Sequence, residues 1–290
     1  LFLGFIENHL QRNIAKIYYS RTGRAETMNM SRAALFLSIL NLLGFLGTVA
    51  VNALANILPI NNRTTGELSA LYPNLFVPAG LTFAVWGVIY VLLGIFVIYQ
   101  LLPSVRRDDR RTEFVRRIGP LFFLASAANI GWIFAWHYEM VPLSLALMLI
   151  LLGCLIAVYL RLNVGRSQAT SAERYLVHLP FSVYLGWITI ATIANVTALL
   201  VDINWNTFGL GEQFWAVVMI IVGIAITLSM LFTRRDIYYS LVVDWALLGI
   251  LLNRLADTAA ADQAVVVVTI VGLALITLGV IVQPVREKAY

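Results

Sequence analysis

Eight runs of about 20 apolar residues follow one another through this chain, and that repetition restricts its fold more than any motif does. The runs occupy 34–56, 79–102, 119–136, 142–160, 176–201, 214–232, 237–253 and 264–283. Each is long enough to cross a hydrocarbon core as a helix, which needs about 20 residues. The polar "HYE" at 137–139 and Pro142 divide the third run from the fourth, since proline suits a helix start. The seventh run is the shortest and contains Asp244. With 60% hydrophobic and only 12% charged residues, the chain has too little charge to cover a soluble core. The expected fold is therefore an all-α membrane protein, an eight-helix transmembrane bundle.

The arginines test that count independently. They crowd "RRDDRRTEFVRR" (106–117) between spans two and three, positions 161, 166 and 174 between four and five, and 234–235 between six and seven. Both tails are basic as well, whereas the remaining loops hold only Arg63 and Arg254 beside six carboxylates. Such alternation places both termini in the cytoplasm and requires an even number of spans. It also explains the formal charge of +5 without nucleic acid, so no nucleic-acid partner is expected. The chain reads as an integral protein of a bacterial or archaeal cytoplasmic membrane, with the bilayer as its first partner. Residues 1–33 read as a basic cytoplasmic tail, 1–27 of it alternatively as translation upstream of Met28 or Met30, and 284–290 as a second tail. Cys154 is the only cysteine and lies in an apolar run, which leaves no internal disulfide or thiolate metal cluster.

Three spans carry aromatic and amide residues on one face. In "FAVWGVIYVLLG" (83–94), Phe83, Trp86, Tyr90 and Gly94 fall within about 80° of one helix face. Span three, "ANIGWIFAW", brings Asn129, Trp132 and Trp136 within about 60°. On another face of it Ala127, Gly131 and Ala135 form a small-residue stripe, fit for close helix packing within one chain or across a homodimer. Span five, "YLGWITIATIAN", gathers Tyr184, Trp187, Ala191 and Asn195 within about 80°. An amide in hydrocarbon needs a partner, so Asn129 and Asn195 face the bundle interior. Two readings stay open from spacing: interhelical hydrogen-bond links among packed rings, or the wall of a small-molecule pocket.

These residues resemble the tryptophan-rich sensory protein family, whose eukaryotic members are the translocator proteins or peripheral benzodiazepine receptors. "YLGWITIATIAN" is similar to its fifth helix, "NIGW" (129–132) to the Asn-x-x-Trp of its third, and "WGVIYVLLG" (86–94) to the Trp-x-x-x-Tyr-x-x-x-Gly of its second. The resemblance covers about 34–201 and implies a five-helix core, followed by three additional helices over 202–283. Thr82 stands where the family has a phenylalanine, Leu81 stands near the expected preceding tryptophan, and the fifth-helix proline is displaced to Pro180. The resemblance further implies a pocket for a planar hydrophobic ligand, a tetrapyrrole such as protoporphyrin or a sterol-like lipid. Carried over residue by residue, that pocket comprises Trp86, Tyr90, Asn129, Trp132, Tyr184, Trp187, Ala191 and Asn195, with loop 57–78 as its lid.

Asp244 is the one carboxylate well inside a span and is a candidate for a proton or ion route, with His178 as a candidate partner. A retinal Schiff base has no membrane lysine to use, since Lys16 and Lys288 are both in the tails. There is no P-loop, no metal-ligand spacing among the histidines, and no visible catalytic set, so neither an enzyme nor a required cofactor is expected. Two function classes follow: a ligand-binding sensor or carrier, and a secondary transporter or permease component coupled through Asp244.

Overall fold

The computed structural model describes residues 32–58, 60–105, 112–256 and 262–287. Residues 1–31 of the tail read over 1–33, residues 106–111 of the arginine run at 106–117 and residues 288–290 of the tail read over 284–290 lie outside the described residues. All regular structure among the described residues is helical. Helix α1 is Arg32–Ile57, α2 is Thr65–Ser69, and a 3-10 turn at Gly80–Ala84 leads into α3, Val85–Val105. Then come α4 (Glu113–Ile118), α5 (Leu121–His137), α6 (Val141–Leu162), α7 (Ser171–Glu173) and α8 (Leu179–Asp202). The chain closes with α9 (Glu212–Arg234), α10 (Ile237–Ala256) and α11 (Gln263–Glu287).

Every apolar run forms a helix, and seven are long and apolar enough to cross a membrane. The third run differs. Gly119, at φ +59°, and Pro120 break it after α4, leaving α5 with 17 residues. At 1.5 Å per residue that is about 25 Å, roughly one turn short of a 30 Å hydrocarbon core. Burial by its neighbours compensates: Asn129, Ile133 and His137 are almost wholly enclosed.

Helix α5 packs on α6, α6 on α8, and α8 on both α3 and α10, while α9, α10 and α11 pack on one another. Helix α8 thus stands between the earlier helices and the last three. Its crossing with α10 is close, because a Cβ on Gly186 would lie 2.9 Å from the Tyr239 carbonyl oxygen. Outward faces such as Val88, Val91, Ile98 and Leu102 of α3 are exposed and apolar, as a lipid-facing surface requires. At the end of the bundle opposite the arginines, Trp205, Phe208, Phe214 and Trp215 form a ring cluster suited to the membrane interface.

Segment 57–78, read as a loop without helical period, contains α2. Five residues are too few to show a period, but Thr64 and Glu67 form a capping box: Thr64 Oγ1 accepts from the Glu67 N–H and the Thr64 N–H donates to Glu67 Oε2. The Thr64 backbone N–H, and then its hydroxyl, hold the Glu67 carboxyl below its usual range. The fifth span begins earlier than read, at Ser171, and Arg174–His178 forms a π-helical turn. Pro180 has no N–H to donate to the carbonyl four residues back, and the Leu179 N–H bonds Arg174 O instead.

Candidate ligand pocket

The aromatic faces of α3, α5 and α8 meet around Trp86. Its ring stacks on Tyr90 at a centroid distance of 5.7 Å and on Trp132 at 6.2 Å. Tyr184 and Trp187 approach it edge-on at 6.1 Å each. Phe83, carried on the 3-10 turn, meets Trp187 edge-on at 6.0 Å, and Trp136 extends the stack from Trp132. Gly94, the last member of the α3 stripe, faces away from these rings toward Phe45 of α1.

The amides tie this arrangement together. Asn52 Nδ2 donates to Asn129 Oδ1 at 2.8 Å and Asn129 Nδ2 to Tyr184 Oη at 3.3 Å, linking α1, α5 and α8. Trp132 Nε1 donates to Asn195 Oδ1 at 3.1 Å, and Asn195 Nδ2 to Ser144 Oγ at 3.0 Å, adding α6. In hydrocarbon each such bond replaces an otherwise unsatisfied group, although one bond contributes only about 0.6–2 kcal/mol.

Two voids adjoin this cluster. A small one of about 50 Å³ is lined by Thr65, Phe83, Trp86, Trp132, Trp187 and Asn195, among others, with Ala191 in its wall. A groove of about 530 Å³ runs between α1 and α3, with Asn52, Ala53, Trp86 and Tyr90 in its walls and Thr65 and Gly66 of α2 as its roof. Trp86, Phe83 and Thr65 border both. Trp86 is the partition. Among the described residues, three buried polar atoms beside these voids have no hydrogen-bond partner: Thr65 Oγ1, Tyr90 Oη and Trp187 Nε1.

Of the eight residues read as pocket wall, Trp86, Trp132, Trp187, Ala191 and Asn195 line the small void, and Trp86 and Tyr90 line the groove. Asn129 and Tyr184 lie beneath the rings as interhelical links. Both readings of the amides therefore describe part of the cluster. Sequence reasoning passed over Asn52, although an amide inside span one carried the same signal as Asn129. It also passed over α2, whose Thr65 carbonyl accepts the Trp136 Nε1–H at 3.3 Å.

One of the last three helices, α10, reaches this site. Trp245 Nε1 donates to the Thr82 carbonyl at 2.9 Å, Asn253 Nδ2 to the Val77 carbonyl at 2.9 Å, and the Ala79 N–H to Gly249 O at 2.9 Å. Helix α10 thereby fixes the turn that carries Phe83 and starts α3. Asp244 lies away from this clamp: its Oδ2 accepts from Thr277 of α11 at 2.8 Å. His178, considered as its partner, instead has Nε2 at 3.8 Å from Glu173 Oε1. In the small-residue stripe, Gly131 stands against Leu147 of α6, Ala135 is buried, and Ala127 is exposed.

Comparison with known proteins adds one match. A family model described as TSPO-like protein matches residues 38–282, continuing past 201 through α9, α10 and most of α11. Neither the curated proteins nor the solved structures give a match. With apolar helices of spanning length throughout and a match over most of the chain, this integral membrane protein belongs to the TSPO-like protein family.

Proposed function

We propose that this protein is a membrane sensor or carrier that binds a planar hydrophobic molecule, of tetrapyrrole or sterol-like shape, in the groove between α1 and α3. One observation carries the reading: three unpartnered buried polar atoms belong to residues that line two voids, and both voids share the rings of Phe83 and Trp86. Buried polar groups in proteins are nearly always paired, so unpaired ones beside a cavity mark places for ligand atoms. The small void is far below the roughly 300–1,000 Å³ of ordinary small-molecule sites, and the groove falls inside that range. The groove is therefore the entry and main seat, with Trp86 and Tyr90 as its stacking faces. Family membership supports the same reading. Among the described residues no acid and base stand together at the voids, which favours binding over turnover. The arginine-bearing end faces the cytoplasm on the basis of charge alone.

The test is a titration of the purified protein with protoporphyrin, followed by tryptophan fluorescence, in parallel with Trp187→Phe and Asn129→Ala. Saturable quenching is expected in the wild type. Both variants, once shown to be folded, should bind more weakly, by about three- to tenfold, because Trp187 braces the Trp86 ring edge-on and Asn129 ties α1 to α5 and α8 beneath it. Equal binding by all three would reject the aromatic site.

A further inference from the structure

A second cavity lies at the basic end of the bundle, about 290 Å³ in volume, and nothing in the proposed function uses it. Its wall includes Arg166, Arg174, Arg234, Arg235, His178 and Ser167. Positive charge at one membrane face is expected of any such protein. Three features here go beyond that expectation.

The arginines are brought together by backbone built for it. Gly165, at φ +77°, lies so close to the end of α9 that a Cβ would overlap the Arg234 carbonyl oxygen. The same approach lets Arg166 Nε donate to Thr233 O at 3.1 Å and Arg234 Nη1 to Asn163 Oδ1 at 3.1 Å. From the other side, the π-helical turn Arg174–His178 supplies Arg174 and His178, and such turns recur at functional sites. Among the described residues, none of the four arginines has a carboxylate within 4 Å.

The wall also offers polar atoms without partners. Among the described residues, Ser167 Oγ and His178 Nε2 are buried and make no hydrogen bond, although Glu173 lies 3.8 Å from the latter. Ser167 further borders an adjoining cavity of about 460 Å³ that reaches Arg117 and Glu173. The single carboxylate in the wall, Asp236, is already engaged: it accepts from Ser182 Oγ at 2.7 Å, Tyr159 Oη at 2.9 Å and the Tyr239 N–H at 3.1 Å. Four arginines therefore share the cavity wall with one satisfied carboxylate.

We propose that this cavity binds an anionic phosphate group, held by Arg166, Arg174, Arg234 and Arg235 with Ser167 and His178 as further donors. Guanidinium forks match phosphate oxygens, and several donors around one anion are what a phosphate requires. The cavity opens where α6 and α9 end and α8 and α10 begin, at the depth of lipid headgroups. Two sources share the chemistry: the headgroup of an anionic lipid, and a soluble phosphate.

Native mass spectrometry of the full chain in detergent tests this. The protein is incubated with equal amounts of phosphatidylglycerol and phosphatidylcholine of identical acyl chains, with and without millimolar inorganic phosphate. Preferential retention of phosphatidylglycerol is expected, reduced about tenfold in Arg166→Gln/Arg235→Gln and about threefold in Ser167→Ala. Arg161→Gln, at the same end but outside the cavity wall, should retain it unchanged. Ser167→Ala alters no charge and serves if the double variant fails to fold. Retention that survives inorganic phosphate identifies the headgroup as the source, and retention lost to it identifies the free anion. Equal retention of the two lipids together with no bound phosphate in the sample given inorganic phosphate, or an equal loss in Arg161→Gln, would overturn the site.

Discussion

Gly249→Ala is expected to lower thermal stability in detergent more than other single-methyl additions in the spans, and to weaken porphyrin binding although residue 249 touches neither void. The new Cβ would overlap Thr82 Oγ1 and lie 2.9 Å from both Thr82 Cβ and Cγ2, so no rotation of that β-branched side chain removes the clash. The turn and α10 must separate, stretching the Ala79–Gly249, Trp245–Thr82 and Asn253–Val77 hydrogen bonds together. Overpacking of this kind costs about 1–3 kcal/mol, and the lost bonds place the variant at the upper end. Thr82→Ala added to Gly249→Ala should recover part of the loss by removing the two outer atoms. Gly153→Ala in α6, which meets nothing within 4 Å, should leave the melting temperature unchanged or raised. If Gly153→Ala and Gly249→Ala melt alike, α10 does not brace the turn.

Trp86→Ala is expected to have the largest effect at the pocket itself. It removes ring contacts to Tyr90, Trp132, Tyr184 and Trp187 at once and joins the small void to the groove. Truncating a core tryptophan costs about 3–5 kcal/mol, and this half-buried one should lie near about 3. For a planar ligand, the space gained is offset by the loss of a stacking face worth about 0.5–1.5 kcal/mol. Protoporphyrin affinity should fall by up to about tenfold. Trp86→Phe keeps a ring in the partition and should stay within about threefold of the wild type. Unchanged affinity in a folded Trp86→Ala would mean that the ligand does not touch this ring.

How much of this was legible from residues alone depends on the length over which a signal repeats. The long helices were legible because about 20 apolar residues have few other uses. The helical spacing of Trp86, Trp132 and Trp187 correctly brought three helix faces to one centre. Loop 57–78 was read as the lid over that centre, but the helix within it was not, since α2 has five residues and its Thr64–Glu67 capping box is a four-residue signal. Nor does periodicity report close approaches between distant segments. Gly249 looks like any small residue in a span until Thr82 is seen against it. Asn129 and Asn195 were placed correctly in the interior by the cost of an unpaired amide. Which of them would border a void depended on partners in α1 and α6 that spacing on one helix cannot supply.

The central claim, that the α1–α3 groove is the ligand site, is tested most directly by filling it. Ala53 lines the groove from α1, and Ala53→Trp would place an indole where the ligand is proposed to lie. The measurement is protoporphyrin quenching of tryptophan fluorescence in wild type and in Ala53→Trp, both verified as folded by size-exclusion chromatography and helical content. Saturable quenching in the wild type that is absent from Ala53→Trp is the predicted result. Saturable binding of equal affinity in both, or none in the wild type, would contradict it.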